Sequence, residues 1–315
     1  AGKKVDVLFV IDNSGSMGDE QTNLADNFKT FISVASLWAN DYHLGVVTTD
    51  MEAGNQSGRL QAVGGTRIVT PKTTDPTGTF QKMAKVGTNG SGNEQGLAAA
   101  EAALSLPHVY DSGKVCTTDK DCTDKTLCIA NADGGGSGCG GQNRTFLRKQ
   151  AGLEIVFVSD EEDSSPAAQK FYVNFLLSLK GAANKGLFHA HAIVGLQSSS
   201  GSGGCGAAKG SRYIDVANAT GGKVASICDK SFATSLQSIG EVAFGLSHQF
   251  FLTMLAESAT LKVTINGVPC QYAKDTWSYE PNSNSVIFIS ETTGGKCMPK
   301  KGDKVAIYYK TLCFP

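Results

Sequence analysis

The sequence predicts an α/β chain in which a doubly wound, mostly parallel sheet is followed by a small antiparallel β module. Three observations carry this. Val5, Val7, Leu8, Phe9, Val10 and Ile11 form a near-continuous apolar run, as do Leu153 to Val158, and such runs mark strands buried on both faces. Between and after them lie segments whose apolar residues recur at helical spacing. From Gln249 onward the helical period disappears, and strand-like runs alternate with Asn-Gly, Pro-Asn and Gly-Asp turns.

The first strand ends in oxygen: Asp12, Ser14 and Ser16 alternate there, with Asn13, Gly15 and Gly18 supplying the turn. A helix opens at Asp19–Gln21 and carries Leu24, Phe28, Phe31, Ile32 and Ala35 on one side, with its acids in the amino-terminal turn. Tyr42 to Thr49 reads as the second strand. The Gly-, Thr- and Pro-rich stretch 51–76 is a long loop with a short hairpin through 59–61 and 66–69. A short helix is expected over 79–86, and an Ala-rich helix beginning near Asn93. Residues 107–145 look like a disulfide-rich insertion, too poor in apolar residues to hold itself without cross-links. The strand at Leu153 ends at Asp160, and Pro166 starts a helix with Phe171, Tyr172, Phe175, Leu176 and Leu179. Leu187 to Val194 is the next strand. A flexible Ser/Gly loop leads to a short helix at Arg212–Thr220, and a last helix spans Phe232–Leu246. The expected division is a first domain at 1–247 and a β-sandwich-like module at 248–315.

With 41% hydrophobic and 18% charged residues, 315 residues suffice for two cores. A formal net charge of −1 gives no general pull toward nucleic acid. No apolar run approaches the roughly 18 residues that would span a bilayer, so direct membrane insertion is not expected. The first strand begins almost at Ala1 without a signal peptide, which reads as a processed or trimmed start. Nine cysteines and many Ser/Thr/Gly loops point to an oxidising compartment, extracellular or at the cell surface, with outer-membrane association or the periplasm as variants. Cys116, Cys122, Cys128 and Cys139 crowd into the insertion, Cys205 and Cys228 bracket another loop, and Cys270, Cys297 and Cys313 leave one thiol over. The clustered four lack CxxC spacing, which favours disulfides over zinc.

Placed after a buried strand and before a helix, DNSGS resembles the Asp-x-Ser-x-Ser motif of the von Willebrand factor type A family, whose members include integrin I domains. The resemblance implies a Rossmann-like doubly wound sheet and a metal ion-dependent adhesion site, with Asp12, Ser14 and Ser16 as ligands of Mg²⁺ (Mn²⁺ or Ca²⁺ fitting the same oxygens). It further implies a hydroxyl from the Gly-rich turn before the Ala-rich helix and a carboxylate from the later strand. Asp160 matches the carboxylate. At the usual offset from Gly96 this chain has Ser91, a departure from the family's threonine, with Thr88 as the alternative. Hydroxyls and carboxylates at strand carboxyl ends suit a hard cation, since Mg²⁺ takes oxygen ligands and keeps several waters. The resemblance thus implies a secreted or surface-displayed adhesin, of bacterial kind, that binds a protein or glycan carboxylate through the metal. Loops 51–76, 107–145 and 161–165 would set specificity.

Other chemistries fit less well. A haloacid dehalogenase-type phosphohydrolase also carries an aspartate after its first strand, but needs a second aspartate two residues on, where this chain has Ser14. No Gly-x-Ser-x-Gly elbow accompanies the five histidines. A purely structural subunit stabilised by its metal remains the non-enzymatic alternative. Asp119, Asp121 and Asp124 lack EF-hand spacing and read as solvated acids, as do Glu161, Glu162 and Asp163. His189 and His191 share a strand face and read as packed neutral side chains.

Overall fold

The structure is a computed structural model that describes residues 4–37, 41–54, 56–123, 125–181, 187–197, 205–244, 249–281, 284–288, 296–300 and 303–312. Asp124, Cys313 and the loop at 198–204 therefore lie outside the described residues. The chain divides into two compact units, one of residues up to 180 together with 187–244, the other essentially 245–315.

In the first unit, β1 (Lys4–Ile11), β2 (Asp41–Thr48), β6 (Gly152–Ser159), β7 (Phe188–Val194) and β8 (Val224–Ser226) form a parallel sheet in the order β2-β1-β6-β7-β8. Alternation sorts β1 between two cores. Val5, Val7, Phe9 and Ile11 face α1 (Gly18–Leu37), α2 (Pro76–Ala84) and α6 (Ala233–Phe244), while Leu8 and Val10 face α3 (Gly96–Ala103), α4 (Gln169–Ser178) and α5 (Ser211–Ala219). Phe9 lies edge-on to Phe28, Phe31 and Phe80, and Phe28 and Phe80 stack with centroids 3.6 Å apart.

Several elements start where long-range contacts set them. Helix α2 starts at Pro76 because the Asp75 side chain accepts from Gly78 N at 2.9 Å. Helix α3 starts at Gly96 rather than near Asn93, since its caps come from another loop: Asp163 accepts from Leu97 N at 3.0 Å and Ser165 from Ala98 N at 2.9 Å. Helix α4 begins three residues after Pro166, at Gln169. The expected hairpin in 51–76 is an irregular edge on β2, where Val69 and Leu44 exchange both backbone bonds at 2.8 Å beyond a tight Val63–Thr66 turn.

The insertion folds as three short antiparallel strands, β3 (Asp111–Cys116), β4 (Leu127–Ala130) and β5 (Ser137–Gly140), in the order β3-β5-β4. Disulfides Cys116–Cys128 and Cys122–Cys139 cross-link it, and Cys205–Cys228 closes the later loop. Asn143 roots it in the domain, donating to Gly58 O and Ala103 O and accepting from Leu60 N. The insertion does not flank the Asp12 loop as expected. Asp133 lies 3.5 Å from His43 near the start of β2, and Arg148 binds Asp6 and Asp41, so the insertion meets the amino-terminal ends of the strands. The reason is topological: it connects the end of α3 to the start of β6, and in a parallel sheet that connection lies opposite the strand carboxyl ends.

His189 and His191 do pack within the fold, on a buried carboxylate. Glu154 accepts from His189 Nδ1 at 3.1 Å and from His191 Nε2 at 3.0 Å, and Lys223 N donates to His191 Nδ1, which fixes that ring's tautomer. Burial alone would raise the Glu154 pKa, but the two imidazole hydrogen bonds hold it down at about 2 against an ordinary 4.5. A carboxylate depressed in the folded state stabilises fully above its unfolded pKa and loses that contribution as pH falls through the folded one. Urea unfolding midpoints are therefore expected to drop between about pH 5 and pH 2, a drop worth about 3 kcal/mol that Glu154→Gln should flatten. An unchanged pH profile in the variant would contradict this assignment.

The second unit holds two three-stranded antiparallel sheets. One has the order β11-β10-β14, from β10 (Lys262–Ile265), β11 (Val268–Cys270) and β14 (Val305–Tyr308); the other is β12-β13-β9, from β9 (Gln249–Phe251), β12 (Trp277–Glu280) and β13 (Ser285–Phe288). Asn266 and Gly267 join β10 to β11 at φ 52 and 81, the pair of positive dihedrals that a two-residue type I′ turn demands. Val263, Trp277, Val286 and Phe288 make its core beside the Cys270–Cys297 disulfide.

Candidate metal centre

At the carboxyl end of β1, Asp12 N donates to Val158 O at 2.9 Å, so the strand's last pairing seats Asp12 beside β6. Asp12 is fully buried. Its Oδ1 accepts from Ser14 N at 2.8 Å, closing the DNSGS turn, and its Oδ2 accepts from Ser159 Oγ at 2.7 Å. Ser14 Oγ and Ser16 Oγ lie 3.3 Å apart, the first buried and the second exposed to solvent. One residue past Ser159, half-buried Asp160 presents Oδ1 with no hydrogen-bond partner.

Two contacts tie the Gly-rich turn to this loop. Gln21, in the first turns of α1, donates to both Asp12 O (3.0 Å) and Gly87 O (2.7 Å) and accepts from Gly87 N. Gly90 N donates to Asn13 O at 2.8 Å, an approach so close that a Cβ at position 90 would collide with the Asn13 side chain. Of the two expected hydroxyls, that of Ser91 is taken up elsewhere. Ser91 Oγ donates to Glu52 Oε2 at 2.9 Å and accepts from Asn93 N, while Thr88 lays its methyl near Gly18.

The residue this turn sends to Asp12 is Glu94. It is 1% exposed, receives the Thr49 hydroxyl on Oε2, and leaves Oε1 buried without a partner. Burial first, then the charges of Asp12 and Glu161, push its pKa up to about 8 against the offsetting Thr49 bond. The same crowding reaches further. Burial and then the neighbouring acids raise Glu161 and Glu20, and burial chiefly raises Asp12, with Asp160 adding to it and Ser14 and Ser159 opposing. Glu20 Oε2 is also buried and unpartnered. Three orphaned carboxylate oxygens, on Glu20, Glu94 and Asp160, thus belong to residues within electrostatic reach of Asp12, although among the described residues no three of these acids bring ligand atoms within 4.8 Å of one another. Such groups need protons or a cation between them, and an all-oxygen donor set suits a hard divalent ion. The residues therefore fit a divalent metal, with Glu94 added to the expected set. In the sequence its one signal is being the sole acid among residues 87–95.

Glu162 and Asp163, read as solvated, are helix caps. Glu162 accepts from Ser211 N and Arg212 N at the start of α5, and Asp163 caps α3 while pairing with Arg212 at 3.3 Å. Glu161 alone of the three belongs to the acidic group.

The central strand of a five-stranded parallel sheet, helices on both faces, and an Asp-x-Ser-x-Ser turn opening onto the sheet's carboxyl rim now stand together. This unit has a von Willebrand factor A-like fold. Among solved structures, the Rpn10 VWA domain is similar at 13% identity and a TM-score of 0.37, over 78% of this chain and 99% of that one. Proximal thread matrix protein 1 from the mussel byssus is similar at 9% identity and a TM-score of 0.42, over 81% of this chain and 51% of that one. The pilus adhesin SpaC from Lactobacillus rhamnosus GG is similar at 9% identity and a TM-score of 0.41, over 98% of this chain and 39% of that one. The chain thus spans about half the length of the byssus protein and less of the adhesin. No family model matches the sequence, and no curated protein does.

Proposed function

We propose that the von Willebrand factor A-like unit is a non-catalytic, extracellular or cell-surface binding module whose partner, a protein or glycan, engages it through a divalent cation at the Asp12 cluster. The observation that carries this reading is the set of buried, orphaned carboxylate oxygens near Asp12 at the carboxyl end of the sheet. Asp12, Ser14, Ser16, Asp160 and Glu94 would hold the ion, Mg²⁺ or its Mn²⁺ or Ca²⁺ equivalents. Ser91, one step out, braces the Asp50–Glu52 loop instead. When bound, the ion supplies an electrophilic centre for a partner's carboxylate. Ser14 at the position of the phosphohydrolase general acid leaves no proton donor of that kind, in keeping with binding rather than turnover. Four disulfides suit an oxidising compartment, and among the described residues no helix is long and apolar enough to cross a membrane.

Glu94 favours a second reading. A carboxylate from the chain itself competes for the position a partner's acid would take, and a cation so enclosed would serve to knit the loops at 12–16, 49–52, 87–94 and 159–161. Mn²⁺ water-proton relaxation separates the two, with acetate as the carboxylate probe. The binding reading expects enhanced relaxation that acetate lowers, and a further gain in Glu94→Ser, which frees a position. Relaxation insensitive to acetate, with a melting temperature that still rises on metal addition, would leave the structural reading.

A further inference from the structure

At the other end of the sheet, a second group of ligand atoms awaits explanation. His43, third residue of β2, is 1% exposed. Its Nδ1 lies 3.1 Å from Phe146 O, and a carbonyl only accepts, so the ring hydrogen sits on Nδ1 and a neutral imidazole turns the Nε2 lone pair the other way. That Nε2 is buried and has no hydrogen-bond partner. It faces Asp133 Oδ1 at 3.5 Å, too long for a strong hydrogen bond and an unfavourable approach for two lone pairs. A carboxylate oxygen of Asp41, two residues before His43 on the same strand face, completes a trio whose ligand atoms all lie within 4.8 Å of one another.

We propose that His43, Asp41 and Asp133 form a divalent-cation site of the zinc class that fastens the disulfide-bonded insertion to β2. In a tetrahedron with bonds of about 2.1 Å the ligand atoms stand about 3.4 Å apart, which matches the 3.5 Å between His43 Nε2 and Asp133 Oδ1. One imidazole and two carboxylates with a remaining open position is a zinc ligand set, and His43 and Asp133 line a cavity of about 440 Å³ that gives an ion its entry path and room for a water. The surroundings support the ligands. Phe146 O orients the imidazole, and Arg148 Nη1 holds Asp41 Oδ1 at 2.6 Å, each oxygen retaining a second lone pair. The Arg148 charge is itself answered by buried Asp6, on which its Nε and backbone N both sit at 2.7 Å. Lys72 Nζ, 3.1 Å from Asp133 O, positions the insertion loop without occupying the Asp133 carboxylate. The site is independent of the Asp12 cluster, having a nitrogen ligand that Mg²⁺ disfavours.

The test is Zn²⁺ titration by calorimetry of the chelator-stripped full chain in excess Mg²⁺, with Co²⁺ absorption as a second readout. One Zn²⁺ per chain and a visible Co²⁺ band are expected. Asp133→Asn, an exposed substitution that leaves the core untouched, should weaken Zn²⁺ by about tenfold or more, and His43→Gln should remove the Co²⁺ band. No Zn²⁺ uptake, or uptake equal in wild type and Asp133→Asn, would overturn the proposal.

Discussion

Asp12→Asn is expected to cost the protein its response to Mg²⁺ while leaving it at least as stable without metal. The asparagine amide keeps an Oδ1 to accept from Ser14 N, so the turn persists, but the group at the centre of the acidic cluster no longer ionises. Two consequences follow. Cation affinity should fall at least about 100-fold, since even outer partners of metal ligands are worth 10- to 100-fold. The repulsion that Asp12 shares with Glu94, Asp160 and Glu161 disappears as well, so the metal-free variant should melt no lower than the wild type. Calorimetric titration with Mg²⁺ and thermal melts with and without EDTA check both. In the wild type, cation at about 100 times its Kd stabilises by about 2.7 kcal/mol; in the variant the EDTA and Mg²⁺ melts should coincide. A variant that still melts higher in Mg²⁺ would place the cation elsewhere.

Removal of the Arg148 guanidinium should be the most damaging single change in the first unit. Asp6 is fully buried in β1, and Arg148 meets it through both Nε and the backbone N, with Nη1 on Asp41 and Nη2 on Val5 O and Asp41 O. Burial raises the Asp6 pKa, and the Arg148 charge works against that rise. Arg148→Met strands the carboxyl among apolar strands, and breaking such a buried pair costs about 3–5 kcal/mol. Amide exchange along β1 should accelerate by about two to three orders of magnitude. Adding Asp6→Asn to the variant should recover much of the loss, because the double variant buries no unmatched charge. A single variant that exchanges like wild type would show the pair to be superfluous.

The sequence carries the frame of this fold for a physical reason. A strand buried on both faces is apolar at nearly every position, Asp6 and Glu154 being the exceptions that buried partners answer, so β1 and β6 are visible as runs, and the abrupt change to Asp12 and Asp160 marks the rim where ligands sit. What it hides are roles assigned by distant partners. Glu94 and Ser91 lie three residues apart in one polar turn, and only the packing of that turn against Thr49 and Glu52 decides which reaches Asp12. Gln21 looks like any helix-surface amide until it bridges Asp12 O and Gly87 O. Glu162 and Asp163 read as solvated because the helix ends they cap, at Ser211 and Leu97, are remote in sequence. The insertion's place was within reach: any segment joining α3 to a parallel strand must return to the amino-terminal edge.

The most direct test of a cation held at the sheet's carboxyl rim is anomalous diffraction from crystals grown with Mn²⁺. The account requires a single strong peak within bonding distance of Asp12, Glu94 or Asp160 and the Ser14 and Ser16 hydroxyls, about 2.2 Å from its oxygens. A map with no peak there at saturating Mn²⁺ would contradict it.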